Sequence, residues 1–280
     1  MLEPHATHMF STREWALGSR GTPAPGSEEK ASDDRDVAWE EAASVMHVDP
    51  AHLIRAKQVH GAASLIKRKG SAALPHLVPA DLLLTDDRDV AVAIQMADCV
   101  PLLMADGRTG VVAAAHAGWR GLAAGVPAVT VGTLAATFGS RAADVIVAIG
   151  PSIGACCYEV GRDVRDAFEA AGFSNAQIEG WFLNRPHSTE VNPAMPGIGP
   201  GHDPDRWYLD LWQVARDQLE RAGVPREQIY LAGLCTASHP EWFCSYRRDG
   251  SRAGRLAALI RMTRMTRMTR TIGMTNASTA

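Results

Sequence analysis

The sequence predicts an α/β fold in a single domain. Short apolar runs rich in branched residues alternate with longer segments of helical spacing, and turn-forming residues separate them. Length agrees, since 280 residues of which 46% are hydrophobic suffice to bury one large core.

Taken in order, residues 21 to 36 (GTPAPGSEEKASDDRD) are rich in turn formers and charge, which predicts an exposed loop. Val37 to His47 then reads as a helix. Leu82 to Thr85, Val90 to Met96, Val111 to Ala115, Asp144 to Ile149 and Gln228 to Gly233 are short apolar runs expected of buried strands. Helical spacing marks Leu122 to Phe138, Arg162 to Ala171 and Trp207 to Ala222. The last places Leu209, Trp212, Leu219 and Ala222 near one face, with Gly223 and Pro225 as stop signals. Between them, Arg185 to Arg206 is rich in proline and glycine and predicts a long loop, either disordered or a lid. After Ile260 the chain reads RMTRMTRMTRT, a three-residue repeat fitting neither helix nor strand. Residues 1–260 are therefore expected to form the domain, and 261–280 a solvated, disordered tail.

A net charge of -3, from 28 basic and 31 acidic side chains, gives no electrostatic reason to invoke nucleic acid or a membrane surface. No apolar run approaches the roughly 20 residues of a membrane span, and MLEPHATHMF lacks the layout of a secretory signal. A soluble, cytoplasmic protein acting on a small ligand is the expectation. Five cysteines, an odd number, make a poor disulfide framework and point to reduced thiols.

Three segments share one design, in which an apolar strand runs into a reactive side chain that is followed by a turn residue: KQVHG (57–61), QMADCVP (95–101) and AHAGWRG (115–121). Such positions free a side chain from core packing. His60, Cys99 and His116 are thus expected to meet at one rim. Two imidazoles and a thiolate form a three-ligand set for zinc, with the fourth position left for water or substrate. Their wide spacing matches no compact metal signature, and each residue has an ordinary structural alternative as a packed thiol or satisfied histidine. Asp98 either orients a ligand or caps a turn. Arg120, next to a helix start, suits an anion, or else a surface ion pair. GPSIGACCYEVG (150–161) reads as a tightly folded loop in which adjacent Cys156 and Cys157 do not easily share one metal, with Tyr158 and Glu159 as possible pocket walls. The arginines of FCSYRRDG (243–250) suit phosphate or structural ion pairs.

In order, KQVHG, ADCVP, HAGWRG, GPSIGACCYEVG and CT…FCSYRRDG…GR resemble the motifs of the YfiH-like family, also called laccase-domain or polyphenol oxidase proteins, from about Phe10 to Ile260. The resemblance implies an α/β/β/α sandwich and a zinc ion held by His60, Cys99 and His116. It further implies phosphorolysis of adenosine, inosine, guanosine and S-methyl-5'-thioadenosine, together with adenosine deamination. Some bacterial members are linked to peptidoglycan quality control. Three departures bear on substrate preference and leave the ligands untouched: Cys244 where relatives carry an aromatic residue, the longer gap at Ser251-Arg252-Ala253, and the repeat tail.

Phosphorolysis needs cations for phosphate, for which Arg120 and Arg247 are the candidates, and a proton donor that the sequence does not identify. The usual zinc deaminase signature is absent. Copper is the poorer choice of metal, because multicopper oxidases carry paired His-x-His ligands and this chain has none. The competing readings are a Cys-His hydrolase with Cys99 as nucleophile, a peptidoglycan quality-control factor, and a non-enzymatic module stabilised by metal.

Overall fold

The computed structural model describes residues 2, 4–15, 17, 28–75, 77–198 and 204–263. Residues 264–280 of the expected tail, 21–27 of the first loop and 199–203 of the second lie outside them.

Among the described residues, six strands form one sheet in the order Ile229–Leu231, Val145–Ile149, Val100–Asp106, Val111–Ala117, Leu82–Thr85, Ser64–Lys67. Its central strands run antiparallel, while the outermost strand at either edge pairs in parallel. A four-stranded sheet follows the order Ala6–Phe10, Leu256–Met262, Ala91–Met96, Leu53–Ile54. A three-stranded sheet comprises Phe182–Leu183, Arg206–Leu209 and Glu159–Gly161.

Side chains alternate across a strand, so a strand covered on both faces reads as a continuous apolar run. Leu83, Leu103, Val112 and Ala114 of the six-stranded sheet meet Val92, Ile94, Ala258 and Ile260 of the four-stranded sheet in one core. The intervening Leu82, Leu84, Leu102, Met104, Ala113 and Ala115 face the other way, toward Val131 and Leu134 of the helix Val126–Phe138 and Val214 and Leu219 of the helix Leu211–Arg221. On the far side, Ala91, Ala93, Ala257 and Leu259 take Trp39, Ala42 and Met46, which belong to or follow the helix Glu28–Val45. The layers are thus α/β/β/α, as the family resemblance implied. No helix among the described residues is long and apolar enough to cross a membrane.

Five expectations need correction. The helix Glu28–Val45 begins inside the segment read as a loop, because the sequence of its charged first half shows no apolar stripe to signal it, whereas Ala38, Trp39 and Ala42 pack into the core. Leu122 to Phe138 is two helices, Trp119–Ala123 and Val126–Phe138, separated where Gly125 takes φ 75° and Pro127 opens the next turn. Trp207, Tyr208 and Leu209 are strand, and the helix starts at Leu211, capped by the Asp210 carboxylate on the Gln213 N–H. The final strand runs to Met262, with Arg261 and Met262 buried and Ala6 opposite Met262, so the repeat begins inside the sheet. Finally, disorder does not hold for residues 185–198: Asn192 is buried there, donating to Gly233 O and accepting from Cys235 N–H.

Candidate metal centre

Strand register brings the candidate ligands together. In the antiparallel pair Val100–Asp106 and Val111–Ala117, Val100 lies opposite Ala117 and Pro101 opposite His116, so Cys99 emerges beside His116. The neighbouring strand places Leu82 opposite Ala115, and the His116 N–H donates to Asp81 O at 2.9 Å. Asp81 therefore sits beside His116 although 35 residues separate them.

Asp81 then positions the third candidate ligand. Its carboxylate, fully buried, accepts the backbone N–H groups of Val59 (3.2 Å), His60 (3.0 Å) and Gly61 (2.8 Å), and His116 Nδ1 approaches it at 2.9 Å. These bonds clamp the KQVHG loop in a shape that puts His60 at φ 61°, a left-handed conformation uncommon for histidine. The loop does not leave directly from a strand end, contrary to the design read from the sequence, because the nearest preceding strand is Leu53–Ile54. Sequence reasoning passed over Asp81. Its only local signal was a carboxylate opening the apolar run LLLT, and its partners lie in two other segments.

The ligand atoms of His60, Cys99 and His116 all lie within 4.8 Å of one another. His60 is exposed, Cys99 half-buried and His116 buried, so the cluster opens to solvent on one side. The two imidazoles meet edge to face with centroids 4.9 Å apart. Because Nδ1 of His116 is engaged by Asp81, Nε2 is the nitrogen left free to take a metal. Gly118 leaves the cluster room: a Cβ there would stand 2.8 Å from Cys99 Sγ and 3.3 Å from His60 Cδ2. One soft sulfur and two imidazole nitrogens, converging on space that glycine keeps clear, suit a transition metal.

Electrostatics favours ligand ionisation at the sulfur. Burial pushes the Cys99 thiol up, but the His116 charge and the hydrogen bonds from His116 and His60 outweigh it and bring Cys99 down to about 6. Burial likewise pushes His116 down, and the Cys99 charge with the Asp81 hydrogen bond reverses this to about 9. For Asp81, burial is outweighed by hydrogen bonds from His116 and the Gly61 N–H, and the carboxyl is held below its usual value. Between these limits His116 holds a proton that a metal must displace. Metal uptake at pH 7.5 should therefore release the His116 proton, with affinity falling as pH drops from about 9 and more steeply below about 6, where Cys99 also binds its proton. Calorimetry in buffers of different ionisation enthalpy measures this, and proton-neutral binding at pH 7.5 would contradict it.

The remaining candidates lie around Tyr158. Arg247 sends Nη1 to Glu159 O at 2.7 Å and stacks over the Tyr158 ring at 4.8 Å. Arg120 is exposed and lies over the Trp119 ring at 4.2 Å, inside a five-residue helix. Burial pushes the Tyr158 phenol well up, the Cys99 charge adds to this, and Arg247 and Arg120 pull the other way. The phenol, both cations and the ligand cluster thus share one neighbourhood. Arg248, by contrast, is structural, bonded to Asp249, Thr236 O and Phe243 O.

Asp98 touches none of the three ligands through its carboxylate. It accepts the Thr236 hydroxyl and the Arg247 N–H, both at 2.6 Å, and thereby ties two late motifs to the bend that carries Cys99, just before the strand Val100–Asp106. A cleft of about 450 Å³ lined by His52, Arg55, Lys67 and Asp87 lies apart from these residues and contains none of the candidate ligands.

Comparison with known proteins gives the family. A curated relative named purine nucleoside phosphorylase, from Deinococcus radiodurans, is 32% identical over 255 residues, 90% of this chain and 88% of its own length. Another of that name, from Bacteroides thetaiotaomicron, is 36% identical over 176 residues, 63% of this chain and only 58% of the relative. The crystal structure of the Bacillus licheniformis protein YfiH superposes with a TM-score of 0.75 at 27% identity, covering 92% of this chain and 93% of that one. Residues 8–263 match the family described as multi-copper polyphenol oxidoreductase laccase. With its sandwich fold, its ordered motifs and its histidine-cysteine cluster, the chain belongs to this laccase-like, YfiH-like family.

Proposed function

We propose that the protein is a zinc-dependent purine nucleoside phosphorylase, converting adenosine, inosine, guanosine and S-methyl-5'-thioadenosine with phosphate into free base and the ribose 1-phosphate, and that it also deaminates adenosine. The convergence of His60, Cys99 and His116 within 4.8 Å carries this reading. The relatives named purine nucleoside phosphorylase supply the substrate class. Two nitrogens and one sulfur suit zinc, and the chain has no His-x-His pair of the kind copper oxidases use. When bound, zinc supplies a Lewis acid beside the nucleoside.

The protein's own residues bind and orient. In phosphorolysis a phosphate oxygen bonds to the ribose anomeric carbon, the glycosidic bond to the purine breaks, and the leaving base takes up a proton. Arg120 and Arg247 supply positive charge for the phosphate. Tyr158 keeps its phenol protonated, because burial and the Cys99 charge oppose ionisation, and donates a hydrogen bond to the substrate. Tyr158→Phe should lower kcat about 10- to 100-fold, the equivalent of a hydrogen bond to a charged group, with an unchanged melting temperature. Equal kcat for both proteins would remove Tyr158 from the reaction.

Chromatography after incubating the zinc-loaded protein with adenosine tests the whole reading. Adenine should appear only with phosphate, and inosine with or without it. No turnover of any purine nucleoside by protein carrying one zinc per chain would overturn it. A second reading has a specific observation behind it: Asp81, His116 and Cys99 line up as in a cysteine hydrolase, with the thiol brought down to about 6. An acyl adduct on Cys99 would favour that reading, whereas protection of Cys99 from iodoacetamide by zinc favours the first.

A further inference from the structure

A second group of soft ligands stands outside the cluster just described. Cys156, Cys157 and Cys235 are all buried, and their sulfurs lie within 4.8 Å of one another. Adjacent cysteines are poor partners for one ion in an extended chain. Here, however, the N–H groups of Cys157 and Tyr158 both donate to Gly154 O, and this turn sets the Cys156 and Cys157 sulfurs 3.5 Å apart. Two sulfurs bound at about 2.3 Å to one tetrahedral ion stand about 3.8 Å apart, so the turn already has the required span.

Two backbone donors aim at these sulfurs. The Gly154 N–H donates to Cys235 Sγ at 3.3 Å, and the Met195 N–H donates to Cys157 Sγ at 3.3 Å. Donors aimed at sulfur stabilise the ionised form that binds metal. The Ser238 hydroxyl lies 3.4 Å from the sulfurs of both Cys156 and Cys157 and gives its proton to Pro193 O at 2.6 Å, which leaves an oxygen lone pair toward the cluster. An inert packed thiol needs none of these partners.

We propose that Cys156, Cys157 and Cys235, with the Ser238 oxygen as fourth donor, form a second site for a thiophilic d10 cation, Zn2+ or Cu+. Three buried sulfurs and one oxygen make a closed, structural donor set, in contrast to the open cluster at His60, Cys99 and His116. On binding, the thiols release their protons, and no electron transfer is involved. The ion joins three segments: the Cys156–Cys157 turn, the Cys235–Ser238 loop, and residues 193–195, whose backbone contacts Cys157 and Ser238. Through Thr236 and its bond to Asp98, this lies next to the bend that carries Cys99. The site does not depend on the proposed nucleoside chemistry.

Titration of the reduced, metal-free full chain with Cd2+ under anaerobic conditions tests the proposal, since the thiolate charge-transfer band reports the number of bound sulfurs. Two ions per chain are expected, one with about three times the charge-transfer absorbance of the other. Cys99→Ser should abolish the weaker band, and Cys235→Ala should remove at least about a third of the stronger. The wild-type band ratio remains decisive if Cys235→Ala fails to fold. Native mass spectrometry with Zn2+ and with Cu+, each against a competing chelator, then identifies the resident ion; retention of either as a second equivalent supports the site. A single-thiolate band only, retention of neither ion there, or a disulfide among these three cysteines in protein purified under reducing conditions overturns it.

Discussion

Cys99→Ser should remain folded yet retain little zinc and lose at least about 100-fold of its turnover, beyond the 10- to 100-fold typical of changing a residue that merely supports a ligand. Serine keeps the shape of the side chain but replaces a thiol that ionises at about 6 with an alcohol that stays protonated. The fold should survive because its three apolar cores are built from strand and helix residues that the substitution leaves in place. A metal-stabilised interaction module would instead unfold, since binding energy of a structural metal is folding energy. Thermal melting recorded beside zinc content separates the two, and a collapsed melting transition in the variant would count against a catalytic site.

Asp81→Asn should lower metal affinity about 10- to 100-fold while every ligand remains in place. The carboxylate accepts three loop N–H groups and faces His116 Nδ1, whereas an amide turns one donor toward groups that are themselves donors. Leaving one of these buried groups unmatched costs about 1–3 kcal/mol, so the metal-free variant should also melt at lower temperature. Because Asp81 holds both His60 and His116 in place, affinity and stability should fall together. Zinc affinity within two-fold of wild type would show that the loop and ring hold their positions without it.

How much of this was legible in the sequence follows from how local each signal is. Leu82 to Thr85 and Val111 to Ala115 announced themselves as strands because burial on both faces makes nearly every residue apolar. Trp207 to Leu209 misled, since aromatic and aliphatic residues before a helix look like its first turn until Asp210 is seen to cap it. The first helix hid behind its charges.

His60, Cys99 and His116 stood out individually, each beside a turn residue, and the order of the surrounding motifs carried the family and with it the layered fold. The alternation of short apolar runs with segments of helical spacing established the α/β class, and composition alone pointed to reduced thiols and showed no charge bias toward nucleic acid. Strand pairing decided the rest, because contacts between residues far apart in sequence depend on register, which no short segment contains. The pairing of Leu82 with Ala115 and Val100 with Ala117 put Asp81 and Cys99 on either side of His116. The Gly154 turn, set against the Cys235 loop, likewise made one cluster of three cysteines that the sequence presented as a pair and a single residue.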